Sequence, residues 1–358
     1  FARVELDASG EMDSDARVHA SYFARVVGDY GPLLTTVRQS EALAVLTAEL
    51  DNIREALRFA VDTAQPDLGI EIADHSWRLW ESLGQADEGK QWLRILLQTA
   101  GVPDGLRARG LSALAGLLYW QADYKAAWRA YEESLGLFRS LKDKKSEAYT
   151  LFSMSMTATW DGDGERGEQL ATDALELLPS DGAADIGGLI LMAKAWAVQR
   201  LGRFAEARPL WDEALARARQ VGDAHLAITQ LVGIAVNEFH IGDERAALAI
   251  ALDALDEALS IHNVPLTTWV LEVVASLATP RAPLVALSLA TAVAEQQRAI
   301  GGGMPVGPLD MEDAAAAARA MISAEDADRA TELGEQMDLS RACADARECL
   351  RDRVDVGD

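Results

Sequence analysis

Five stretches of this chain repeat one pattern. They are ADEGKQWLRILL from Ala86, YKAAWRAYEESL from Tyr124, GERGEQLATDAL from Gly164, FAEARPLWDEAL from Phe204 and ERAALAIALDAL from Glu244, with starts 38, 40, 40 and 40 residues apart. The fourth position is small each time (Gly89, Ala127, Gly167, Ala207, Ala247) and the twelfth is leucine (Leu97, Leu135, Leu175, Leu215, Leu255). Eleven residues before four of the starts lies a second small column: Ala113, Ser153, Ala193 and Gly233. Small residues at fixed places in paired segments let two helices approach closely. QADY, DGDG, LGRF and IGDE separate the two columns and carry the glycine and aspartate chemistry that stops one helix and caps the next. The unit is therefore helix, short turn, helix. Such a unit cannot bury its apolar face alone, so its neighbours must stack into an α-solenoid.

This register accounts for two stretches that otherwise suggest a nucleotide. GDGERG, Gly162 to Gly167, spells G-x-G-x-x-G, and GQADEGK, Gly84 to Lys90, misses a P-loop only because Gln91 stands where Ser or Thr is needed. Both fingerprints require a strand feeding the glycines. Here Gly164 and Gly167 fall in the turn and small-residue columns, and Gly89 falls in the small-residue column, so no nucleotide or other cofactor is expected.

The flanks are less regular. Residues 1–30 read as polar helix, and Pro32 breaks the pattern. From Gln39 to Asp62 one amphipathic helix is predicted, with Leu43, Leu46, Leu50, Ile53, Leu57 and Val61 at spacings of three and four. The neighbourhood of Pro66 is a boundary. A sixth, degenerate helix pair is expected over 265–300, the Gly- and Pro-rich IGGGMPVGP from Ile300 is a flexible break, and 310–350 returns to helix. The division expected is a helical adaptor over 1–66, a repeat array over 67–300 and a C-terminal helical capping segment over 301–358. Pro209 is expected at the edge of the first turn of its helix, where a missing N–H costs little.

A formal net charge of −24 repels phosphate backbones and anionic lipid, which argues against direct nucleic-acid or membrane binding. Cys343 and Cys349, six apart, fall on different helical faces and are not expected to pair, which suits a reducing cytoplasm. No apolar run reaches 18 residues. The five histidines have no metal-ligand spacing, and no nucleophile motif is present, so neither catalytic nor metal residues are assigned and an enzyme is not expected. A chain that opens on Phe1 is expected to be a piece of a longer polypeptide.

Nine tryptophans invite a binding reading. Trp80, Trp120 and Trp160 recur every 40 residues, Arg200 and His240 continue their column, and Trp196 lies one turn before Arg200. On the first helices of a solenoid such a column can line a concave groove, offering stacking surfaces and polar handles to a flat small molecule or an extended peptide. Asn237 could add an amide. The alternative is that these indoles pack between repeats, as is expected of Trp77, Trp92, Trp128, Trp211 and Trp269. The acidic column Glu133, Asp173, Glu213, Asp253 reads as a solvated face.

Several stretches resemble a known family. ARVHASYFARVV followed by LTAELDNIREALRFAVD is similar to the junction between ATPase module and repeat region in actinobacterial STAND-type ATPases, the LuxR-type transcriptional regulators and relatives of the Streptomyces antibiotic regulatory proteins. GRFAEARPLWDEALARARQVGD resembles their tetratricopeptide-like units, and ALSLATAVAEQQRAIGGGMP with AAAAARAMISAEDADRATELGEQMDLSRA resembles their closing segments. The resemblance implies an all-α tetratricopeptide-like α-solenoid that senses a small-molecule inducer or a protein partner and restrains an upstream ATPase module. DNA binding would lie in a separate domain, and the family supplies no fixed ligand residues. A protein–protein scaffold, or an accessory region of a signalling enzyme such as a nucleotide cyclase or kinase, are the competing expectations.

Overall fold

The computed structural model describes residues 11–178, 184–300, 311 and 313–355. These residues fold as helices without strands, in a tetratricopeptide-like solenoid. The Gly- and Pro-rich break at 301–308 lies outside the described residues. Contacts divide the chain into two compact units, 1–157 and 158–358.

The first unit begins with α1 (Glu11–Tyr30), a short 3-10 turn (Gly31–Thr35), α2 (Gln39–Ala48) and α3 (Leu50–Asp62). The single helix expected over 39–62 is thus two. Glu49 leaves the helical conformation at φ −99°, ψ 8°, and this re-aims the chain so that Leu46, Leu50, Ile53 and Leu57 are all buried. Then come α4 (Pro66–Ser82), α5 (Ala86–Gln98), α6 (Asp104–Trp120), α7 (Tyr124–Leu141) and α8 (Lys144–Trp160), whose last residues belong to the second unit. Pro66 opens α4 at the first helical position, where its missing N–H has no intrahelical partner to lose.

The second unit continues with α9 (Gly164–Glu176), α10 (Ala184–Arg200), α11 (Phe204–Gln220), α12 (Ala224–His240), α13 (Glu244–Ser260), α14 (Val264–Ala278) and α15 (Pro283–Ile300). It closes with α16 (Ala314–Met321), α17 (Ala324–Glu335) and α18 (Leu339–Asp355). The helices that open the five repeated stretches start at Ala86, Tyr124, Gly164, Phe204 and Glu244, and the degenerate sixth pair is α14 with α15.

The turns follow from local chemistry. The carboxylates of Asp123, Asp163, Asp223 and Asp243 each accept the N–H three residues on, at 2.9–3.1 Å. Gly162, Gly222 and Gly242, just before three of these caps, and Gly202 before Arg203 take φ of +71° to +96°, the left-handed stop that only glycine adopts without strain. Ala122 and His262 hold the same conformation despite a side chain, at +58° and +54°. α11 starts at Phe204, so Pro209 sits five residues in, at the edge of the first turn as expected, on an exposed face where its ring meets solvent.

Packing uses both small-residue columns. Gly89, Ala127, Gly167, Ala207 and Ala247 are buried, as are Ala113, Ser153, Ala193 and Gly233. Within the second unit α12 packs between α11 and α13, and α16, α17 and α18 close against α15. Each buried Leu or Val in these faces contributes about 1.5–3 kcal/mol, so the array is held by repeated apolar faces more than by ion pairs. Of the acidic column Glu133, Glu213 and Asp253 are exposed, as expected, and Asp173 is half-buried; the three exposed members are also paired, Glu133 with Arg107 at 2.7 Å, Glu213 with Arg217 at 2.7 Å and Asp253 with Arg351 at 3.9 Å. Cys343 is buried, which pushes its thiol up to about 12, while Cys349 is exposed; neither forms a disulfide.

Candidate functional site

In the first unit the site residues come from α4 and α6. Trp80 has no solvent exposure. It fills the hollow above Gly89, where an added Cβ would lie 2.5 Å from Trp80 Cε3, and its indole N–H has no hydrogen-bond acceptor. Expected as a groove surface, Trp80 instead packs inside its own helix pair, because glycine at position 89 leaves room for a ring. Trp120, the last residue of α6, is half-buried and meets Tyr119 edge-on at 5.5 Å. Trp77, read from sequence as structural, is also half-buried and lies against α6, where a Cβ at Gly116 would stand 2.9 Å from Trp77 Cη2. The Arg78 guanidinium sits 4.0 Å from the Trp77 ring centre and 5.8 Å from that of Trp120.

Two ionisable groups border this cluster. Burial raises the Glu81 carboxyl above the usual carboxylate range, against the pull of Arg78. Tyr131 is buried, which pushes its phenol up, and it shares a hydrogen bond with Ser153. The sequence signal for Arg78 was its place inside WRLW, a cation between two indoles of one helix turn. The repeat register could not single it out, because the column passes through Trp80.

In the second unit three tryptophans form a chain. Trp160, the half-buried last residue of α8, tilts against Trp196 at 5.5 Å, and Trp196 meets Trp211 edge-on at 4.9 Å. Trp211 donates its indole N–H to Gln199 Oε1 at 3.2 Å. Trp196 is only 5% exposed, so of the expected pair Trp160 alone offers a face to solvent. The reason is position: Trp196 lies one turn inside α10, where the α11 ring of Trp211 covers it.

Arg200 and His240 end α10 and α12 and are half-buried. The His240 imidazole stacks on Phe204, centres 5.2 Å apart and planes 10° apart, with Phe239 edge-on at 5.8 Å. Asn237 is fully enclosed, and neither atom of its amide finds a partner; the same holds for Gln230, two turns earlier on α12. Next to Asn237, the buried Glu238 pairs with Arg208, which also reaches Asp212 at 3.1 Å. Thus Trp120, Trp160, Arg200 and His240 each end a first helix half-exposed, while Trp80, Trp196 and Asn237 are enclosed.

Such an arrangement can stack, donate hydrogen bonds and hold charge. Among the described residues no group of three or more His, Cys, Asp and Glu could hold a metal ion, and no helix is long and apolar enough to cross a membrane. Both glycine-rich stretches follow a helix and run into the start of the next: Gly162 is a left-handed stop, while Gly164 opens α9, where a Cβ would meet Leu201 Cγ at 3.0 Å. Gly84 is likewise a left-handed stop, at +67°.

No family model matches the chain, and no curated protein matches it in sequence. Solved structures resemble it in fold. A Rap protein complexed with competence and sporulation factor superposes with a TM-score of 0.58 at 13% identity, covering 93% of this chain and 91% of its own. Aspartyl phosphate phosphatase F from Bacillus subtilis gives a TM-score of 0.50 at 13% identity, covering 92% and 84%. A STAND protein with a tetratricopeptide repeat sensor from Pyrococcus horikoshii reaches only 0.45 at 15% identity, over 87% of this chain and 52% of that one, too loose to inform function.

Proposed function

We propose that this chain is a non-catalytic recognition region that binds a small-molecule inducer or a protein or peptide partner at the ends of first helices, Trp120 serving in the first unit and Trp160, Arg200 and His240 in the second. The observation that carries the reading is the repeated half-exposure of Trp120, Trp160, Arg200 and His240 at the last residue of successive first helices. Stacking faces and polar handles held on rigid helix ends suit recognition better than chemistry. Rap protein, on a similar fold, is solved in complex with competence and sporulation factor, which supports ligand recognition on such an array.

The sequence resemblance extends the reading. The chain would be the sensing part of a cytoplasmic, ATP-dependent LuxR-type transcriptional regulator, with 1–66 as adaptor to an ATPase module, 67–300 as the sensing array and 301–358 as its cap. A ligand that binds one arrangement of the array better than another would shift the parent's on/off equilibrium by that difference in affinity.

The test is a titration of inducer-class compounds and of candidate partner domains, followed by tryptophan fluorescence. Trp160→Ala and Trp120→Ala should weaken binding while the fold stays intact by circular dichroism. Ligands that bind with affinity untouched by both substitutions would remove the helix-end site. Binding of partner domains alone would leave the scaffold reading.

A further inference from the structure

Arg78 is set apart from the arginines around it in the first unit. Arg54 is clasped by Glu88 and Asp51, Arg107 by Glu133, Arg109 by Asp74 and Arg139 by Glu147. Arg78 has no ion pair or hydrogen bond with any described residue; it lies over the Trp77 ring and near that of Trp120, and its charge also acts on Glu81 and Tyr131. In a chain of net charge −24 carboxylates are plentiful, yet none clasps this half-buried guanidinium, and its N–H donors stay open for a ligand to engage. Trp77 is wedged against Gly116 and fixes the plane on which Arg78 stacks. A guanidinium stacked by its face keeps its N–H edge available, and that edge matches the two oxygens of a carboxylate.

We infer that Arg78, steadied by Trp77 and Trp120, receives the carboxylate of a ligand whose flat apolar part stacks beside the two indoles. The inference rests on the recognition reading above and names the ligand class. A monoanion fits better than a phosphate: the acidic chain and the neighbouring Glu81 penalise every further negative charge. The carboxylate belongs either to a free aromatic acid or to the C-terminus of a peptide.

The experiment titrates the whole chain with N-acetyl-phenylalanine, its primary amide, and a tetrapeptide ending in phenylalanine with a free or amidated terminus, read by tryptophan quenching. The acid of at least one pair should bind about tenfold more tightly than its amide. The pair that shows the larger ratio identifies the source. Arg78→Gln should erase the preference with the helical circular dichroism unchanged, and Arg78→Lys, which keeps the charge and loses the fork, should keep part of it. Acid and amide binding equally to the native chain, or a preference that survives Arg78→Gln, would overturn the arginine site and leave the recognition reading standing. No binding of any probe up to about 10 mM would overturn the arginine site and take the small-ligand half of the recognition reading with it.

Discussion

The Trp211 indole lies on Gly233 with no space between them: a Cβ on that glycine would fall 2.4 Å from Trp211 Cη2. One residue is the ring that covers Trp196 and the other is the small-column position of the next first helix, so this contact locks α11 to α12. Gly233→Ala should therefore cost about 1–3 kcal/mol by overpacking, despite the helix propensity alanine adds. Trp211→Ala should cost about 3–5 kcal/mol by cavity formation. Urea melts of both and of the double variant should show strong non-additivity, since with the ring gone the alanine methyl has room.

Gly89 makes the parallel case in the first unit and separates packing from nucleotide binding. A Cβ there meets Trp80 and Leu117 Cδ1, the latter at 2.8 Å. Gly89→Ala should lower the melting temperature, and calorimetric titration with ATP should be flat before and after the substitution. Heat of ATP binding by the native chain that disappears in Gly89→Ala would restore the phosphate-loop reading.

Trp160 and Trp196 touch each other but should respond differently to truncation. Trp196→Ala opens a cavity against Trp211 and should cost about 3–5 kcal/mol. Trp160→Ala removes a half-exposed ring and should cost clearly less, with the urea midpoint as measure. Equal costs would mean that Trp160 is core and unsuited to ligand stacking.

Glu272 on α14 gives a pH signature. Burial raises its carboxyl to about 7, opposed by the Gln297 amide, which donates to Oε2 at 2.9 Å, and reinforced by the charge of Asp313. Between the ordinary carboxylate range and about 7 the folded chain keeps a proton that the unfolded chain has lost. Stability is therefore full at the acid side of that window and falls as pH rises through it. Glu272→Gln should flatten this slope, removing on the order of 1–2 kcal/mol of pH dependence between pH 5 and 8.

Asp256 holds the last helix. It pairs with Arg347 at 2.8 Å and with Arg351, joining α13 to α18. Asp256→Asn should speed amide exchange in α18 while leaving α10 to α12 protected, with a global cost of about 1 kcal/mol.

Much of the fold was legible in the chain itself. Repeat register and capping residues are local: an aspartate that accepts the N–H three residues on acts within one turn, and a glycine stop needs nothing beyond its own backbone. That is why the helix starts at Ala86, Tyr124, Gly164, Phe204 and Glu244 coincide with the starts of the repeated stretches. Identical spacing also marks Trp80, Trp120 and Trp160 as equivalent, yet it cannot tell an enclosed indole from a half-exposed one. That distinction depends on what the neighbouring helix places opposite each ring, such as the hollow at Gly89 under Trp80. The same holds for Arg78, whose partners Trp77 and Trp120 meet only when α4 packs on α6, and for the break at Glu49, where burying four leucines and isoleucines outweighed helix continuity. Order along the chain comes from bonds a few residues long; exposure comes from contacts between one helix and another, and only the packed structure sets those.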